Sequence, residues 1–267
     1  MSDKPITIAS LQALKRAGEH FACLTAYDAS FATAVDDAGV EVILVGDSLG
    51  MVIQGHPTTV PVSVDDLCYH TRAVSRGGGH ALLMADLPFM SCATMERAIE
   101  SSARLMQEGH AQAVKLEGGA EQADLVRRLS EQGVAVCAHI GLRPQSVNKL
   151  GGFKVQGRAQ AAARAMRDDA RRLVDAGADL LLLECVPSAL AGEITEAVDV
   201  PVIGIGAGPE CDGQILVLYD MLGITSGHRP RFVKDFLDGA GSVSQALRDY
   251  VTAVKDGTFP GPEHGYE

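Results

Sequence analysis

Val42-Ile43-Leu44-Val45-Gly46-Asp47 is an apolar run closed by an acid, and the chain uses the same phrase again further on. Ala81-Leu82-Leu83-Met84-Ala85 ends on Asp86, Ala113-Val114-Lys115-Leu116 on Glu117, and Asp179-Leu180-Leu181-Leu182-Leu183 on Glu184. Short apolar runs separated by helical stretches read as buried parallel strands of an α/β protein. Acids recurring at the same end of such strands converge on one face of the sheet. There they repel one another unless a cation neutralises them. The arrangement predicts a metal-centred site.

Outward from these runs the alternation continues. The pattern predicts strands near 21–26, 42–46, 81–85, 112–116, 134–139, 179–184, 201–205 and 214–218. Helices are expected near 28–39, 63–76, 93–108, 120–132, 159–176 and 188–198. Gly39, Gly77, Gly109, Gly133 and Gly177 follow helical segments, where a left-handed terminal residue is most easily glycine. A helix, a glycine, a short turn and a strand is the phrase of βα units. An open doubly wound sheet uses the same alternation. Eight units in a chain of 267 residues favour a (β/α)8 TIM barrel.

Ile8, Leu11 and Leu14 recur at helical spacing, so an N-terminal helix over 7–17 is expected before the barrel. The tail carries two further helix candidates, Arg231–Leu237 and Ser242–Val254, which complete the outer layer or pack on another subunit. No linker or low-complexity segment divides the chain, and one domain, 1–267, is expected. Two connections exceed what a βα turn needs: Ser48 to Val62 and Gly141 to Arg158. Both follow strand C-termini, where barrel enzymes build lids and substrate walls.

Composition narrows the function. Hydrophobic residues make up 46% of the chain but aromatics only 4%, so the core is aliphatic, as in helix-covered parallel sheets. A net charge of −11 argues against nucleic acid and anionic membrane as partners. No apolar stretch approaches the roughly eighteen residues that cross a bilayer. Met1-Ser2-Asp3-Lys4-Pro5 lacks the pattern of a secretory leader. Among the six cysteines there is no Cys-x-x-Cys, and Cys23, Cys137 and Cys185 lie in or beside predicted strands. Reduced thiols in a cytoplasmic protein are expected.

Asp47, Asp86 and Glu117 offer hard oxygen ligands suited to magnesium, with some contacts running through water. Taken singly, each could be a solvated loop acid or a helix N-cap. Strand alternation puts Lys115 on the same side as Glu117, inside the barrel near its rim. A buried ammonium there needs an anionic partner, whether a neighbouring acid or a substrate carboxylate. His139 closes the fifth strand as either a structural residue or a hydrogen-bond donor to substrate. Ser48 could offer its hydroxyl or its backbone amide to a bound carboxylate. Glu184, two strands beyond the candidate ligands, is a candidate general base or a structural ion-pair partner. Gly204-x-Gly206-x-Gly208 lacks dinucleotide spacing and reads as a tight turn lining the site.

These residues lie inside longer strings: Thr25-Ala26-Tyr27-Asp28, Val45-Gly46-Asp47-Ser48-Leu49-Gly50-Met51, Gln54-Gly55-His56 and Tyr69-His70-Thr71. They continue with Asp86-Leu87-Pro88-Phe89, Val114-Lys115-Leu116-Glu117-Gly118, His139-Ile140-Gly141-Leu142-Arg143-Pro144-Gln145 and Gly204-Ile205-Gly206-Ala207-Gly208. Together the ordered set closely resembles the ketopantoate (3-methyl-2-oxobutanoate) hydroxymethyltransferase family, from about Ile8 to Tyr250. The resemblance implies a barrel of the phosphoenolpyruvate/pyruvate type and a homodecamer, as in bacterial relatives. It implies Mg2+ on Asp47, Asp86 and Glu117. It also implies 2-oxo acid contacts from Asp47, Ser48, Asp86 and Lys115 with His139 nearby, and Glu184 as the catalytic base. The implied co-substrate is 5,10-methylenetetrahydrofolate, and the implied pathway is pantothenate biosynthesis. A lyase on the same barrel would carry a reactive cysteine in a Lys-Lys/Arg-Cys-Gly-His setting, and that string does not occur here. An inactive binding or assembly protein would have no need of the intact acids.

Overall fold

A computed structural model describes residues 4–225 and 229–267; Met1 to Asp3 of the N-terminal stretch lie outside them. Eight strands form a closed parallel barrel in sequence order. They are β1 (Phe21–Thr25), β2 (Val42–Val45), β3 (Leu82–Asp86), β4 (Ala113–Glu117), β5 (Ala135–Gly141), β6 (Leu180–Glu184), β7 (Val202–Ile205) and β8 (Gly213–Leu216). Closure comes from β8, which pairs with β1 through Cys23 opposite Ile215. The fold is therefore the barrel, and the open sheet is excluded.

Alternation along each strand sorts side chains into two cores. Ile43, Val45, Leu83, Val114, Leu116, Leu181 and Leu183 face outward and pack under the helices. Val42, Leu44, Leu82, Met84, Ala113, Cys137, Leu180 and Leu182 face inward, together with Leu11 of the N-terminal helix. That helix, Ile8–Ala17, begins with a Thr7/Ser10 capping box and ends at Gly18 in the left-handed region. Lys15 Nζ donates to Asp212 Oδ2 at 2.8 Å and to the Thr195 carbonyl at 2.9 Å, and Asp212 Oδ2 also accepts the Val202 amide. The helix thus plugs the amino end of the barrel. Leu11 is fully buried there, worth about 2 kcal/mol by area alone.

The outer helices stand where expected, with ends set by Asp28, Ser63 and Thr94, whose side chains accept amides of the first turn. Val243–Lys255 completes the outer layer against β1 and β8: Tyr250 Oη lies 2.8 Å from both the Cys23 and Gln214 carbonyls. The expected helix over 231–237 does not form. Asp235 Oδ1 accepts the Leu237 and Asp238 amides, giving the backbone a turn in place of helical bonds. Phe232, Val233 and Phe236 are nonetheless buried in the outer core. The two long connections each contain a short helix, Leu49–Val52 and Val147–Leu150. All six cysteines are free. Among the described residues no helix is long and apolar enough to cross a membrane.

Candidate active site

At the carboxyl end of the barrel the inward rows change character. Asp86 follows Met84, Lys115 follows Ala113, Glu117 follows Lys115, His139 follows Cys137, and Glu184 follows Leu182, each two residues on. Register then sets neighbours side by side: Asp86 opposite Lys115, Glu117 opposite His139, and Gly141 opposite Glu184. Gly141 has φ of +95°, and a Cβ there would lie 2.4 Å from the Glu184 carbonyl, so only glycine ends β5 in this way.

The groups form a chain of contacts. The Asp47 amide donates to Asp86 Oδ2 at 2.9 Å, and Lys115 Nζ lies 2.5 Å from Asp86 Oδ1. Lys115 Nζ is also 3.2 Å from His139 Nδ1. His139 Nε2 is 3.3 Å from Glu184 Oε2 but out of line with it, so Nε2 is buried without a hydrogen-bond partner, as is Glu117 Oε1. Burial, and then the Lys115 ammonium, push the His139 pKa well down, and the imidazole is neutral. With Lys115 donating to Nδ1, the ring proton belongs on Nε2.

The acids are crowded. Burial first and Asp86 second push Asp47 up to about 7, against the opposing pull of Lys115 and Gln145. Burial pushes Glu117 well up and takes Glu184 to about 7, with Lys115 opposing in both cases. Burial works against the charge of Lys115, but Asp86, Glu117 and Asp47 outweigh it and raise its pKa, keeping the ammonium. One ammonium thus serves four carboxyl groups.

That imbalance, with the unpartnered Glu117 oxygen, fits a divalent cation. Among the described residues no three or more His, Cys, Asp or Glu side chains form a ready-made cage. Magnesium needs none, since it takes one or two carboxylates and fills its shell with water and substrate oxygens. Asp47 and Asp86, joined through the Asp47 amide, would hold such an ion together with Glu117. A Cβ on Gly46 would lie 3.2 Å from Asp86 Oδ2 and 2.9 Å from Ser48 Oγ, so glycine keeps the approach open.

All seven residues singled out in the sequence (Asp47, Ser48, Asp86, Lys115, Glu117, His139 and Glu184) line one cavity of about 670 Å³. Sequence reasoning missed two of their supports. Gln145, from the connection after β5, donates its carboxamide to Asp47 Oδ2 (2.9 Å) and the Leu87 carbonyl (3.0 Å), and its amide to Glu117 Oε2 (3.2 Å). Tyr27 Oη lies 2.8 Å from Ser48 Oγ. Both sit in quoted strings, but neither belongs to a strand-end pattern that would have marked it.

Ionisable side chains gathered at the carboxyl ends of a closed parallel barrel define a (β/α)8 enzyme. The family model described as ketopantoate hydroxymethyltransferase matches residues 5–262, and the chain belongs to that family. The 3-methyl-2-oxobutanoate hydroxymethyltransferase of Alkalilimnicola ehrlichii is 59% identical over 263 residues, covering 98% of this chain and 95% of that protein. The 3-methyl-2-oxobutanoate hydroxymethyltransferase 2 of Pseudomonas fluorescens Pf-5 is 60% identical, covering 98% of each. Among solved structures, a phosphonopyruvate hydrolase in complex with oxalate and Mg++ superposes with a TM-score of 0.61 at 14% identity, covering 97% of this chain and 93% of that one. A phosphonomutase-like protein from Burkholderia cenocepacia gives 0.64 at 20%, covering 81% and 93%. At those identities the likeness is one of fold, a closed (β/α)8 barrel.

Proposed function

We propose that this cavity transfers a hydroxymethyl unit from 5,10-methylenetetrahydrofolate to 3-methyl-2-oxobutanoate, giving 2-dehydropantoate and tetrahydrofolate in pantothenate biosynthesis. The observation that carries the reading is one enclosed mouth holding an ammonium, an unpartnered imidazole N–H and a buried carboxyl side by side. Asp47 and Asp86 would hold Mg2+, with Glu117 acting through water. When bound, that cation supplies the positive charge that makes the oxo acid a better carbon acid.

Lys115 faces the substrate carboxylate and offsets its charge. His139 donates from Nε2, and Ser48, held by Tyr27, offers its hydroxyl. Glu184 takes the C3 proton, and a carboxyl with a pKa near 7 is well matched to that task at neutral pH. The C3–H electrons pass into the C2–C3 bond, and C3 then bonds to the donor's methylene carbon. The methylene's two C–N bonds break in turn, one as C3 attacks and one as water supplies the product hydroxyl. The two folate nitrogens take up the C3 proton, relayed by Glu184, and the second proton of that water. A cytoplasmic location and a homodecamer belong to the same reading. Exposed Met51, Ile53, Phe89 and Met90 beside the barrel mouth give self-association some apolar surface, which sedimentation velocity would test.

Incubating the purified chain with Mg2+, the oxo acid and 5,10-methylenetetrahydrofolate should yield 2-dehydropantoate, with loss of turnover on chelation. Cleavage of an oxo acid without folate would replace this reading with a lyase.

A further inference from the structure

A five-carbon oxo acid at the floor leaves most of a 670 Å³ cavity unused, for that volume is of the class that takes drug-sized ligands. The upper walls differ in kind from the floor. Phe153, from the connection after β5, and Phe232 and Tyr266, from the C-terminal part of the chain, supply aromatic surface. Lys154, Arg229 and Arg231 supply cations against one acid, Asp220. Charge therefore reverses along the depth of the cavity, from carboxylates below to cations above.

The glycine motif explains how the aromatic wall is seated. Gly206 has φ of +59°, and a Cβ there would lie 2.7 Å from Phe232 and 3.2 Å from Tyr266. Bare backbone lets both rings close over the end of β7. Gly208 likewise makes room for Ser188, whose amide donates to the Tyr266 carbonyl at 2.9 Å. Arg231 is fixed to the same wall: its Nε donates to the Glu263 carbonyl at 2.7 Å, and its guanidinium carbon lies 6.0 Å from the centre of the Tyr266 ring. Arg229 is engaged by Asp235 at 3.0 Å.

We propose that this upper chamber is the seat of the one-carbon donor, a flat conjugated ring packed on Phe232, Tyr266 and Phe153 with its anionic tail on Lys154 and Arg231. The proposal rests on the folate reading above and gives it residues. Field and shape together fix the orientation. The floor carboxylates repel a polyanionic tail, so the uncharged ring descends toward the oxo acid and the tail stays at the rim. Aromatic walls favour a conjugated ring through stacking and apolar burial.

The test uses Mg2+-loaded enzyme and 5,10-methylenetetrahydrofolate carrying either one glutamate or three. Lys154→Ala and Arg231→Ala should each raise the donor KM roughly five-fold and weaken the preference for the longer tail. The oxo-acid KM should stay within about two-fold, because the floor is untouched. Direct binding of tetrahydrofolate by calorimetry should weaken in step. Arg231 also anchors the C-terminal segment, whereas Lys154 lies on a different connection, so the effect must appear in both variants. An unchanged donor KM, or an oxo-acid KM rising in parallel, overturns the assignment of the chamber while the folate reading stands. If the wild-type enzyme exchanges the substrate C3 hydrogen yet neither binds tetrahydrofolate nor uses the donor, both fall together.

Discussion

The two ends of the barrel are made from the same eight strands and the same inward rows, yet they face opposite demands. At the amino end the rows carry Val42, Leu82 and Leu180, and Leu11 closes the bore. At the carboxyl end, two or four residues further along, they carry Asp86, Lys115, Glu117, His139 and Glu184. The amino end is satisfied without any ligand. The mouth is not, for it holds raised carboxyl pKa values, an orphaned imidazole nitrogen and an orphaned carboxylate oxygen. One end stabilises the fold, and the other draws on that stability to hold groups that water would otherwise solvate.

The sharpest way to break this division is at Glu184. Glu184→Gln should slow deuterium exchange at C3 of the oxo acid by about 10²–10⁴-fold, read by NMR. Normal exchange would take the base role away from it. At the other end, Leu11→Ala should lower unfolding free energy by about 2–5 kcal/mol in urea titration. C3 exchange per folded molecule should stay within about two-fold, and its collapse would make the amino end part of the site.

Glu184 also gives a pH test without metal. Its carboxyl titrates near 7 in the fold, against an ordinary 4.5, so the folded chain binds that proton more tightly. The group costs nothing below pH 4.5, and the cost grows as pH rises through 7. In EDTA, Glu184→Gln should therefore be more stable than the parent at pH 8, by up to about 3 kcal/mol, with the two converging at acid pH. Parallel curves would mean that the mouth carries no such cost. The smallest effect is expected at Gln145: replacing it with Ala should weaken Mg2+ binding about ten-fold by calorimetry, through loss of the bonds that orient Asp47 and Glu117.

What the sequence made legible follows the same division. Strands are short, apolar and periodic, so all eight can be read, and an acid at the end of a run stands out against it. Lys115 and Glu117 could be put on one side because alternation has a fixed period. Gln145, Tyr27, Phe232 and Tyr266 were not legible as site residues, since they come from connections and the C-terminal segment, which have no period to betray their direction. Arg231–Leu237 misled for a related reason: its apolar spacing resembles a helix, but the Asp235 side chain captures the amides that a helix would need. The glycine motif after β7 signalled a tight backbone without saying what would press against it.

Because the N-terminal helix seals the far end, the described residues leave the site one doorway, at the carboxyl end. On the proposed assignments, the small oxo acid lies deepest and the bulky carrier stands between it and solvent. Such a cul-de-sac imposes a queue: the acid must arrive before the carrier, and the spent carrier must depart before the lengthened acid can leave.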